Sequence, residues 1–147
     1  MPELPSSNDG TSNRLLAFAS EATVGILCRA DTIYMDGTFS IVPKIFHQLC
    51  TIHAFYRGRM IPCAHFLLHD ESTDTYSRMF RLLKDYAATK GFDMHPRYFR
   101  VDYEAGILKA IERSFPNSET KGYLFHFCQA VHAWSLSHQK PRYENHQ

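Results

Sequence analysis

The chain has 147 residues with a formal net charge of +1 and 44% hydrophobic residues. That length and apolar content fit one domain with a sizeable core and exclude a disordered linker. The near-zero charge gives no global electrostatic case for binding a polyanion, and no apolar run is long enough to span a bilayer.

Residues 1–13 (MPELPSSNDGTSN) are rich in Pro, Ser and Asn and read as a flexible lead-in without the layout of an export signal. Residues 14–21 place Leu15, Leu16, Phe18 and Ala19 on one side of a helical wheel, which predicts a short amphipathic helix. A first strand follows through Ile33, Tyr34 and Met35 and ends on Asp36. Residues 47–56 and 60–68 are β-rich runs around Arg57-Gly58-Arg59, a hairpin in which Gly58 is free to take positive φ. Pro62 cannot donate a ladder hydrogen bond, which suits an edge strand or a bulge and puts the second hairpin strand at or near the sheet edge.

Residues 72–90 form the best helix. Ser72 or Thr73 caps it, Tyr76, Met79, Phe80, Leu83, Tyr86 and Ala87 recur at helical spacing, and Gly91 closes it. Pro96 opens a strand through Tyr98, Phe99, Arg100 and Val101 that ends on Asp102. Residues 103–115 return to a helical period, and Pro116 stops it. A last strand over 122–127 leads into a helix over 128–137, and 139–147 is a polar tail. This order gives an α/β domain over 14–138: a mixed sheet of antiparallel hairpin strands and parallel strands, with helices on its faces.

Two strands that each end on an acid bring two carboxylates to one edge of a sheet, a candidate site for a hard cation. Each Asp taken alone is better explained by a turn, Asp36-Gly37 being a common turn dipeptide. Glu104 follows Asp102 by two residues, either as an acid standing behind the metal ligands or as a favourable charge in the first turn of a helix, the second being preferred. His126 ends a strand expected beside the Asp102 strand, there to touch a phosphate or a metal-bound water, or to be satisfied by hydrogen bonds under the last helix.

Zinc is a tempting reading of Cys50, His53, Cys63, His65 and His69. Strand alternation puts Cys63 and His65 on one face but separates Cys50 from His53, so four ligands do not converge. Cys128 and His132 stand four apart on the last helix without two further partners. Without an export signal, all four cysteines are expected as free thiols. Arg57, Arg59, Arg97, Arg100, Lys109 and Arg113 are either contacts for a DNA backbone or isolated surface charges.

Several segments carry a likeness in order: Asp36-Gly37-Thr38-Phe39, Pro43, Phe46-His47-Gln48-Leu49, Val101-Asp102-Tyr103-Glu104, Phe115-Pro116 and Phe125-His126-Phe127-Cys128. Together they resemble the catalytic domain of Mutator-like element (MULE) transposases, over residues 14–136. The resemblance implies a ribonuclease H-like fold and a triad of two Asp and one Glu that holds two Mg²⁺ or Mn²⁺ ions. Asp36 matches the first acid and Asp102 the second; Glu104 and His126 are possible accessories. It also implies DNA as partner, cleavage and strand transfer as chemistry, and the nucleus as compartment, with the cytoplasm otherwise.

The family's third acid lies on a later helix, and Glu144 sits in the polar tail with no apolar frame to place it. Where family members often carry Cys three residues before the matching histidine, this chain has Tyr123. The expectation is a catalytic core truncated at its C-terminus that binds the cation weakly and is inactive alone. A further catalytic segment or a homo-oligomer would then complete it. The alternatives are a transposon-derived, non-enzymatic DNA- or protein-binding module and a decaying gene product.

Overall fold

The computed structural model describes residues 14–39, 42–101 and 104–120. The lead-in, Asp102, His126, Cys128, His132, Glu144, the 122–127 strand, the 128–137 helix and the tail lie outside the described residues. The elements are β1 (Leu15–Ala19), α1 (Glu21–Arg29), β2 (Thr32–Thr38), β3 (Gln48–Tyr56), β4 (Arg59–Leu68), α2 (Thr73–Thr89), β5 (Tyr98–Arg100), α3 (Ala105–Ser114) and β6 (Glu119–Thr120). The sheet runs β1-β4-β3-β2-β5-β6, with β2, β5 and β6 parallel to one another and the other pairings antiparallel.

The helix expected at 14–21 is strand β1. Leu15, Ala17 and Ala19 are buried while Leu16 and Phe18 are half-buried, the period of two that a sheet imposes. An isolated helix of so few residues is marginal, whereas β1 gains a full antiparallel ladder from Leu15↔Leu68 to Ala19↔Ala64. The helix starts after it. Ser20 Oγ accepts from the Thr23 N–H at 3.2 Å and Thr23 Oγ1 accepts from the Ser20 N–H at 3.2 Å, a reciprocal cap that opens α1.

The second correction concerns β4, which is an interior strand between β1 and β3 and not a sheet edge. Pro62 is tolerated because β1 reaches only Ala64, and because the register slips between Ile52↔Ala64 and His53↔Pro62. Cys63 is the additional residue of that bulge. Arg57 at φ 52° and Gly58 at φ 77° both sit in the left-handed region, the twist that a two-residue hairpin turn requires. The end of α2 is closed by a second such position, Gly91 at φ 77°. Its N–H donates to the Ala88 carbonyl at 3.0 Å, and the Phe92 N–H donates to the Ala87 carbonyl at 2.9 Å.

The buried strand residues share one phase. Leu15, Ala17, Cys50, Ile52, Met35, Phe66 and Phe99 join Val24, Leu27, Phe80, Leu83 and Ile111 of the helices in a single core. Phe80, Phe99 and Phe115 pack ring against ring at centroid distances of 5.1–5.9 Å, tying α2 and the end of α3 to β5. The opposite phase, including Tyr34, Asp36, Thr51, His53 and His65, is half-buried.

Candidate active site

Asp36 lies inside β2, paired with Thr51 of β3, and Gly37 is paired with Cys50. The dipeptide is therefore strand and not turn. Gly37 is required for room: a Cβ built there would stand 2.8 Å from Gln48 Oε1. The space it leaves is part of a cavity of about 60 Å³ whose wall includes Asp36, Gln48, Cys50, Tyr76, Val101 and Glu104.

The parallel pairing of β2 with β5 brings these groups together. Thr32 faces Tyr98, Ile33 faces Phe99 and Tyr34 faces Arg100. Val101, the residue before Asp102 in sequence, and Glu104, two residues beyond it, both line the Asp36 cavity. Asp102 itself and His126 lie outside the described residues. Glu104 is the residue that precedes the first turn of α3. Its side chain makes no capping hydrogen bond and instead accepts from the Tyr76 hydroxyl at 3.3 Å.

The local electrostatics follow from burial beside carboxylates. Burial pushes the Cys50 thiol up to about 12, with the charges of Asp36 and Glu104 adding to it. Burial lowers the His53 imidazole below its usual value, against a pull upward from Asp36. Asp36 thus acts on a thiol on the core side of the sheet and on an imidazole on the other side. The oxygens of Asp36 and Glu104 are hard donors of the kind that hold cations such as Mg²⁺ or Mn²⁺.

The hairpin does not form a metal centre. The bulge turns Cys63 into the core with Ala64, so the shared face expected for Cys63 and His65 is not found. His65 lies opposite Thr51, whose hydroxyl is 3.3 Å from its Nδ1, and burial lowers its pKa. Cys28, Cys50 and Cys63 are free thiols. Among the described residues no group of three His, Cys, Asp or Glu side chains is placed to hold a metal ion. No described helix is long and apolar enough to cross a membrane.

Sequence reasoning missed Gln48 and Tyr76 as cavity residues. Gln48 had a signal, since it is the one strongly polar side chain in the buried phase of β3 with Cys50, Ile52 and Ala54. Tyr76 had none, because an aromatic at helical spacing reads as core whatever its hydroxyl does. Compared with known proteins, the chain matches the family model described as MULE transposase domain over residues 32–130, well over half its length. No curated protein matches it significantly.

Proposed function

Because this chain belongs to the MULE transposase domain family, we propose that it supplies the Asp36 and Asp102 part of a metal-dependent centre for DNA cleavage and strand transfer, acting in the nucleus. What supports the reading is one cavity lined by Asp36, by Val101 next to Asp102 in sequence, and by Glu104. A divalent ion bound there would activate the attacking oxygen and neutralise the leaving one. The work of the protein is to hold the carboxylates. The β2–β5 ladder runs to Tyr34↔Arg100, two residues before Asp36 on one strand and two before Asp102 in sequence on the other.

The acid that the family contributes from a later helix is matched by none of Asp36, Asp102 and Glu104, so the centre is short of that ligand. The 147-residue chain by itself therefore binds Mg²⁺ or Mn²⁺ weakly, and its charge of +1 adds little hold on DNA. The test is nicking of supercoiled plasmid with Mn²⁺. The chain alone leaves the plasmid supercoiled, and the chain joined to a following helix that carries the third acid nicks it. Asp36→Ala and Asp102→Ala each abolish that nicking. Nicking that survives either substitution overturns the assignment.

A further inference from the structure

The cavity wall carries a chain of polar groups that the two aspartates do not explain. Gln48 is 2% exposed and Tyr76 is 3% exposed, and an amide and a phenol so buried need partners. Gln48 Nε2 lies 3.2 Å from the Asp70 carbonyl oxygen and 2.8 Å from the Tyr76 hydroxyl. The carbonyl only accepts, which fixes the end of the amide that faces it, and Nε2 has only protons to offer the phenol. The Tyr76 oxygen therefore accepts from Gln48, and its own proton is directed to its next neighbour, Glu104 Oε1. Glu104 stands at the N-cap of α3, where its side chain makes no capping hydrogen bond.

We propose that Tyr76, oriented by Gln48, is a positioning residue that holds the Glu104 carboxylate toward the Asp36 cavity as an additional anionic ligand for a divalent cation. This rests on the reading of that cavity as a cation site. Glu104 reaches it from the short stretch between β5 and α3. The first turn of α3 is held close to the connection before α2, because a Cβ on Gly106 would run into the Glu71 carbonyl. Burial raises the Tyr76 pKa well above its ordinary value, the Gln48 hydrogen bond opposing this and the Glu104 charge adding to it.

The experiment is a Mn²⁺ titration of the full chain, free ion being read by electron paramagnetic resonance. The variants are Tyr76→Phe, Glu104→Gln, the two combined, and Asp36→Asn, each checked for folding by circular dichroism. Tyr76→Phe and Glu104→Gln each weaken Mn²⁺ binding about tenfold, the usual scale for losing a group that orients a ligand. The double variant is no weaker than Glu104→Gln alone, because Tyr76 acts through Glu104. Should Tyr76→Phe fail to fold, Gln48→Met takes its place, leaving the phenol without its donor. Two results overturn the inference while the cavity reading stands: parent affinity in Tyr76→Phe or Glu104→Gln when Asp36→Asn binds poorly, or further weakening by Tyr76→Phe in the Glu104→Gln background. Titrations alike for the parent and Asp36→Asn overturn the cavity reading itself, and this inference with it.

Discussion

Gly37→Ala tests the packing of the site through a single methyl group. Gly37 is not among the positive-φ glycines, so its backbone accepts a side chain. The obstacle is Gln48 Oε1, 2.8 Å from the new Cβ. Gln48 cannot swing away freely, because its amide is bound to the Asp70 carbonyl at 3.2 Å and to Tyr76 at 2.8 Å. Loss of these two hydrogen bonds, each worth about 0.5–1.5 kcal/mol net, costs about 1–3 kcal/mol. The stiffer unfolded chain returns about 0.4–1 kcal/mol. The expected result in guanidinium unfolding is a destabilisation of about 1–2 kcal/mol. In a Gln48→Ala background the obstacle is gone, and the same substitution stabilises by about 0.4–1 kcal/mol. A Gly37→Ala effect of the same sign and size in both backgrounds would refute the reasoning.

Gly106→Ala gains about 1 kcal/mol of helix propensity but meets the Glu71 carbonyl. Overpacking of about 1–3 kcal/mol should win, and thermal unfolding should show a lower Tm. Burial holds the Cys50 thiol at about 12 and the Cys63 thiol at about 11. Both should resist iodoacetamide at pH 8 in the native protein and react on unfolding, as read by mass spectrometry. His53 and His65 are both held below the ordinary 6.5, so below that value the unfolded chain binds more protons than the folded one. Stability should therefore fall as pH drops from about 7 toward 5, and His53→Gln with His65→Gln should flatten that slope in denaturant titrations.

The hairpin, α2 and α3 were legible because their periods of two and 3.6 are clean and their caps, Ser72 and Gly91, are local. β1 was not, since Leu16 and Phe18 put apolar side chains on both faces and hide the alternation. The place of β4 was not legible either. Pro62 signals a missing N–H donor, and only the long-range pairing with β1 decides how much of the strand is covered. Asp36 could be found from its place at the end of an apolar run. The role of the groups around it could not, because Glu104 looks like an ordinary helix-start acid until Tyr76, 28 residues away, is seen to bind it.

The most direct measurement is a crystal structure of the chain soaked in Mn²⁺, read by anomalous scattering. The account predicts a peak between Asp36 and Asp102, with carboxylate oxygens of both at metal–ligand distances, which are about 2.0–2.1 Å for Mg²⁺. Carboxylates on opposite faces of the sheet, or well over roughly 10 Å apart with no shared peak, would contradict it, since two-metal chemistry needs ions about 3.5–4 Å apart.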